Sequence, residues 1–545
     1  MATLGGHAAR LKHRTLALDY QWQALIVVIV GSFMVMLDTT IVNIALPRIT
    51  NVFGVSVDQS QLILTGYMLA LAVVMPAAGY LTDTFGTKRV YLLVMGLFTI
   101  GSALCGMAWD INSLVVFRVI QGLGGGMLMP LGTTVIFRAV PPHQRGTVMG
   151  VFGLPLILAP VLGPTLGGYL VEYVDWRIIF TLNIPVGVLG LLLGATLLRE
   201  TERRPGLRFD TPGFLLSAIG FGGLLLGLSR GAGDGWTAPH IVAYLFVGAA
   251  ALVIWVVLEL HTDVPLLDLR VLKNSTYALA TGVTFISTLA MFSSMFLLPL
   301  FLQNLRGLGA LESGLLTFPQ AMAAGLMMPI SGRLFDRFGP RPPVVVGMLI
   351  MFYSTWGLTS LNLATSDNEL RWLLIVRGAG MGLMMMPAMT AAMNTVPPHL
   401  VARASSLTNV LRQIFGSFGT AIFATLIQMR MNFHLGMLAQ TVTPDSLPVQ
   451  NAIPRIQQAL LHQGATLAQA KAGAIMALGQ QMAMGAAVRA YDDAFLISAL
   501  LMLLGIVPAV FLTSTGLQPD ERKSPMSMEE GMEIETELGM AMEMG

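Results

Sequence analysis

Apolar runs about 20 residues long recur along the chain, the length a helix needs to cross the hydrocarbon core of a bilayer. They lie near 23–46, 61–81, 90–109, 113–136, 147–170, 178–198, 211–229, 240–260, 276–302, 313–332, 343–361, 372–392, 403–427 and 493–514. Fourteen such windows predict an all-α integral membrane protein. Charge away from the window ends is scarce: Asp38 in the first, Arg118 in the fourth, Arg377 in the twelfth and Arg412 in the thirteenth. A carboxylate at the centre of a span costs about 2.5–3.5 kcal/mol on insertion scales, so it is expected to face protein or water and to carry function. Asp38 is followed by Thr39, Thr40 and Asn43, and Pro47 is expected to close the segment.

Composition agrees with this pattern. The chain of 545 residues is 54% hydrophobic and only 11% charged, with a mean hydropathy of +0.72, against about 25% charged in soluble domains. The net charge of +2 decides nothing; where the charges sit does. With the N-terminus inside, nineteen of the thirty-one Lys and Arg residues fall on the inner side and nine on the outer, four of the nine in one long loop. That bias predicts fourteen helices with both termini cytoplasmic. The apolar run after Arg10, Lys12 and Arg14 is too long for a signal peptide's core and has no small-residue cleavage site, so it reads as an uncleaved first span. The single cysteine, Cys105, excludes an intramolecular disulfide and reads as packing.

The chain repeats itself. Gly79, Asp83, Gly86 and the basic pair Lys88–Arg89 after the second window are echoed by Gly332, Asp336, Gly339 and Arg341 after the tenth, and Pro141-Pro142-His143 by Pro397-Pro398-His399. Two echoes at nearly one offset predict duplicated six-helix halves, an arrangement typical of transporters. The expected division is an N-terminal segment 1–21, a first half 22–200, a linker with two inserted helices 201–275, a second half 276–515 and a tail 516–545. The second half includes an extracytoplasmic segment 428–492, expected to be a loop to about Pro454 and helical from Ile456 to about Tyr491. The acidic, Met-rich tail has no apolar periodicity and is expected to be disordered.

Five stretches in order resemble the major facilitator superfamily, and within it the fourteen-helix drug:proton antiporter branch of EmrB/QacA-like multidrug exporters. These are Leu37–Pro47 in the first helix, Gly79–Arg89 between helices 2 and 3, and Arg118 with Gln121-Gly122 and Gly124–Gly126 in helix 4. The other two are Gly163-Pro164 with Gly167-Gly168 in helix 5, and Trp176-Arg177 with Phe180 and Asn183-Ile-Pro185 leading into helix 6. The resemblance implies a major facilitator fold over about 22–515. It also implies a gating role for Gly79, Asp83, Gly86, Lys88, Arg89 and their second-half echoes, proton coupling through helix 4, and an antiporter role for Gly163, Pro164, Gly167 and Gly168. In relatives from two-membrane bacteria it implies a membrane-fusion adaptor and an outer-membrane channel, for which segment 428–492 is a docking candidate. Thr84 and Thr87 depart from the basic residues usual in the loop motif.

The residues suggest chemistry to match. Asp83 beside Lys88 and Arg89 has the makings of a charged latch. Asp38 and Arg118 lie at similar depth, roughly 12 and 8 Å from the outer ends of their helices, and meet if the helices are neighbours, as the resemblance implies. Burial and an adjacent guanidinium push a carboxylate's proton affinity in opposite directions, which suits a site that loads and releases a proton. Pro155, Pro160 and Pro164 predict a bent fifth helix. Arg412 has three open partners: Asp38 across a cavity, an anionic group of a substrate, or backbone carbonyls. Arg377 is expected to snorkel outward. Thr39, Asn43, Gln121, Phe292, Asn409, Arg412 and Gln413 are the candidate substrate-cavity residues, with Met-rich helices around them. No phosphate-binding G-x-x-x-x-G-K-[ST] loop is present, and no cofactor, metal or nucleic acid is implied. The reading is a proton-coupled exporter of lipophilic compounds in a bacterial inner membrane; the alternatives are a permease for one metabolite and, more remotely, a membrane sensor or enzyme.

Overall fold

The computed structural model describes residues 18–204, 206–441 and 447–513; the expectation of a disordered tail, and most of the N-terminal segment, lie outside them. The first half is built from α1 (Tyr20–Phe53), α2 (Val57–Val74), α3 (Ala77–Phe85), α4 (Thr87–Gly106), α5 (Ile111–Ala139), α6 (Arg145–Tyr173), the short α7 (Ile178–Thr181) and α8 (Asn183–Leu197). α9 (Thr211–Asp234) and α10 (Pro239–His261) pack on each other as a pair. The second half runs through α11 (Ser275–Leu300), α12 (Ala310–Phe338), α13 (Arg341–Gly357), α14 (Asp367–Asn394), α15 (Val401–Thr441), α16 (Leu447–His462) and α17 (Leu467–Val510). Among the described residues, thirteen helical segments are long and apolar enough to cross a bilayer. The remaining predicted span is α12, 29 residues long, whose apolar run is diluted by Pro319, Gln320 and Pro329.

Four boundaries differ from the sequence expectation. Pro47 does not close the first helix: α1 continues through it to Gly54, which takes a left-handed φ of 62° and donates its N–H to the Thr50 carbonyl. One proline removes one backbone donor, a loss that long membrane helices absorb. The second window is broken at Met75–Pro76 into α2 and α3. Residues 428–441 continue α15 as helix, because nothing in that Met-, Gln- and Leu-rich stretch interrupts the hydrogen-bond ladder. Pro454 lies inside α16 instead of ending a loop. The helical stretch expected from Ile456 to Tyr491 is split at Gly464, with φ of 89°, and α17 then runs unbroken into the last span.

Glycines set the spacing within each half. A β-carbon on Gly124 of α5 would lie 2.5 Å from the Phe98 nitrogen of α4, and one on Gly126 would lie 2.5 Å from the Leu71 carbonyl of α2. α5 is thereby clamped against both neighbours, as small residues permit in membrane helices. α6 ties the molecule together. Near its start it crosses α12, where a β-carbon on Gly146 would lie 2.5 Å from the Gly332 carbonyl; near its end it lies on α1, where one on Gly167 would lie 2.8 Å from Ile41. One buried core runs across both halves, joining Phe152 and Val148 to Met328, Met384 and Met386.

Candidate functional site

Asp38 is fully buried, and four elements converge on it. Arg118 of α5 donates from Nη1 to Asp38 Oδ2 at 2.6 Å. Gln121, one turn further along α5, donates to Asp38 Oδ1 at 2.9 Å, and Asn183 at the start of α8 donates to the same oxygen at 2.9 Å. Ser102 of α4 accepts from both amides, at 3.1 and 3.0 Å, and donates to the Phe180 carbonyl at 2.8 Å. Arg118 also bonds Gln121 Oε1 at 2.8 Å. Its guanidinium stacks 3.8 Å above the Tyr67 ring, leaving Nε and Nη2 buried without hydrogen-bond partners. The backbone makes this possible: a β-carbon on Gly101 would lie 2.6 Å from Gln121 Cα. The Cys105 thiol lies 3.7 Å from Gln121 Oε1, at the edge of the cluster.

The antiporter-motif glycines serve the same helix. Gly163 faces Thr40 and Gly167 faces Ile41, bringing α6 onto the Asp38 segment. Pro164 and Gly168 are only half-buried, and a β-carbon on Gly168 would meet nothing.

Both loop motifs sit where one half touches the other. Gly79 brings α3 onto α15, where its β-carbon would lie 3.0 Å from Arg403 Cα. Gly86 and Gly339 hold φ of 91° and 81°, the left-handed region that favours glycine. The latch partners differ from the sequence expectation. Asp83 pairs with Arg138 at 2.9 Å and lies 3.7 Å from Arg403, not against Lys88 or Arg89. Lys88 instead donates to the Ala195 carbonyl at 2.6 Å, and Arg89 lies 3.7 Å from Glu200. The chain leaves Gly86 in a direction that carries both away from Asp83, onto the end of the first half. Asp336 makes a different contact. It accepts from the N–H groups of Gly146 and Thr147, each at 2.8 Å, and from the Thr147 hydroxyl at 2.6 Å, so it caps the first turn of α6. Arg341 opens α13 and is exposed.

Residues 28–420 match the Major Facilitator Superfamily family profile. The chain belongs to that superfamily. It is 37% identical over 492 residues to an uncharacterized MFS-type transporter of Bacillus subtilis, YhcA, covering 90% of this chain and 92% of the relative. It is 34% identical over 522 residues to the multidrug resistance protein B homolog of Mycobacterium tuberculosis strain H37Rv, covering 92% and 91%. The structure of the proton:xylose symporter XylE superposes with a TM-score of 0.56 at 15% identity, covering 91% of this chain and 96% of that one, which shows the fold. The chain is therefore a multi-pass membrane transporter related to multidrug resistance proteins, not an enzyme.

Within this superfamily fold the remaining candidates separate. Thr39 and Asn43 turn their side chains back to their own helix, Thr39 to the Val35 carbonyl and Asn43 to the Thr39 carbonyl. Gln121 belongs to the Asp38 cluster. Phe292 of α11 is half-buried against α15, its ring filling the space beside Gly416. Asn409 is buried, Gln413 half-buried, and Arg412 half-buried with one hydrogen bond, to Asn409 Oδ1 at 3.0 Å. Arg377 does not snorkel: it is fully buried, donating to Thr355 Oγ1 at 2.5 Å and to the Ala290 carbonyl at 3.1 Å. Of the methionines on these helices, Met328, Met384 and Met386 are core, while Met295 is exposed.

Sequence reasoning did not assign Ser102, Tyr67, Arg138, Arg403 or Thr147 to a site. Asn183 stood in a motif without a role. A lone serine in an apolar run carries no signal of its own, and Arg138 and Arg403 look like ordinary charges at span ends.

Proposed function

We propose that this transporter exports hydrophobic drugs or similar toxic compounds in exchange for protons, by alternating access. The observation that carries the reading is Asp38: a carboxylate sealed from solvent, held by Arg118, Gln121 and Asn183. Ionised, it accepts a hydrogen bond from each of the three. Protonated, it no longer balances the Arg118 charge, and a buried guanidinium without a counter-ion is strongly disfavoured. Gain and loss of one proton therefore favours two arrangements of α1 against α5. α1 passes that change to α6 through Thr40 and Gly163, and α6 to the second half through Gly146, Thr147 and Asp336.

The charge bias along the chain supports placing the loop-motif end in the cytoplasm of a bacterial cell, with both termini on that side. The halves meet there through Asp83 and Arg403 and through Asp336 and α6, which on this orientation is a state closed to the cytoplasm. The division into two six-helix halves with α9 and α10 inserted is part of the same reading. Likeness to a multidrug resistance protein supports drug-like substrates. The helices α15, α16 and α17 beyond the outer boundary offer an adaptor protein a surface.

The test uses purified protein in liposomes with an imposed pH gradient. Transport of a lipophilic dye that follows the gradient, moves protons against the dye and stops with a protonophore supports the exchange. Dye flux indifferent to the gradient overturns it.

A further inference from the structure

We infer that Arg412 is the anion-recognising residue of the transport cavity, and that the preferred substrates are amphiphilic organic anions: an apolar body carrying a carboxylate, sulfonate or delocalised oxyanion. This deepens the exporter reading and rests on it for the path the anion takes.

Arg412 faces the other half. On the same helix, Ser405 donates to the Pro130 carbonyl of α5 at 2.8 Å, which fixes the side of α15 that looks toward the first half. Seven residues advance an α-helix by two turns to within about 20° of the same side. Arg412 therefore projects over α5 about 10 Å further along, at the middle of its span. Pro130 is buried where the helices touch; Leu123, two turns back along α5, is only half-buried, as Arg412 is. The two side chains thus lie on the facing sides of α15 and α5, and neither is fully covered.

The charge there is unbalanced. Asp38 is committed to Arg118 and sealed. Asp493 is held by Arg430 and His434, at 2.7 and 2.6 Å, with Asp492 beside it, some five turns beyond Arg412 along α15. Asp83 and Asp336 are engaged at the loop-motif end, and Glu259 bonds Trp255 within α10. Arg412 has one bond, to a neutral amide on its own helix. A guanidinium carries five N–H donors in a planar fork, so most of this one's capacity is unused, in the geometry that takes an oxyanion by two parallel bonds. Along the same stretch of α15 stand Gln413, Phe415, whose ring lies 4.6 Å from that of Phe285, and Gly416, beside which the half-buried Phe292 packs. A flat apolar body fits these rings; a cation there meets an uncompensated positive charge.

The experiment compares gradient-driven transport of an oxonol anion and of ethidium, a cation of similar bulk, by wild type, R412Q and R412K in liposomes. The expected result is a fall of at least about tenfold in the oxonol-to-ethidium ratio in R412Q, with partial recovery in R412K, which keeps the charge and loses the fork. A ratio unchanged in R412Q overturns the inference. Oxonol binding to the protein in nanodiscs, corrected with empty discs and measured without a gradient, separates this inference from the exporter reading. Binding that weakens in R412Q while wild type shows no gradient-driven flux keeps the anion site and rejects the exporter. Binding insensitive to R412Q rejects the anion site whatever the flux shows.

Discussion

The two halves carry the same polar cluster in different chemical form. In the first half Asp38 is bonded by Arg118, Gln121 and Asn183, with Ser102 beneath. In the second, Arg377 stands in the place of Gln121, each directly before a Gly-x-Gly-x-Gly run, and Thr355 stands to Ser102 as Gly332 stands to Gly79. Ser293 of α11 donates to the Ala290 carbonyl and meets Ser498 of α17 at 2.7 Å. Arg377 bonds Thr355 and the Ala290 carbonyl and has no carboxylate. The ionisable acid thus lies in the first cluster, and the second holds a buried cation without one. The loop motifs divide in a similar way: Asp83 meets two guanidinium groups across a half-to-half contact, whereas Asp336 meets a helix N-terminus.

The largest test of the comparison removes each buried arginine. Arg118→Met strands Asp38 as a buried, unpaired charge, which costs about 3–5 kcal/mol. Arg377→Met removes a cation that has no counter-ion, and is expected within about 1 kcal/mol of wild type, the lost bonds offset by the relieved desolvation. Thermal unfolding in nanodiscs should show a marked loss of midpoint for R118M and little for R377M. Equal losses would mean that the second-half arginine is as well balanced as the first.

A smaller effect separates the two latches. Asp83→Asn leaves Arg138 and Arg403 without their anion, while Asp336→Asn keeps one acceptor oxygen for the start of α6. In a Cys105→Ala background, a Ser405→Cys probe at the α5 contact reports opening by its alkylation rate. An increase of about tenfold is expected for D83N and about threefold for D336N, following costs of about 1.5 and 0.7 kcal/mol. The reverse order would remove the distinction between them.

Much of this was legible in the chain. Long apolar windows give spans directly, because a bilayer demands both length and apolarity. The meeting of Asp38 and Arg118 followed from matched depth once the helices were taken as neighbours. What escaped has physical reasons. Pro47 is a strong breaker in water-soluble helices and a weak one where neighbours support the backbone, so α1 ran on past its expected limit; α16 begins seven residues before Pro454 and carries it inside. The partners of Asp83 lie 55 residues away at Arg138 and across the half-to-half contact at Arg403; the adjacent Lys88 and Arg89 were the nearer guess in sequence and the wrong direction in space. Arg377 looked free to reach the surface because its depth was judged from span length, while its burial depends on Thr355 and Ala290 of two other helices.

The measurement that tests the central claim most directly compares two modes of transport by wild type and Asp38→Asn in the same liposomes. One is dye accumulation driven by a pH gradient. The other is equal-pH exchange of labelled for unlabelled dye, which needs alternating access and no net proton movement. If Asp38 carries the proton, the mutant keeps exchange and loses accumulation by about a hundredfold or more, as expected when an essential proton-transferring group is removed. Accumulation undiminished in D38N would contradict the account and leave the buried pair with Arg118 a structural one.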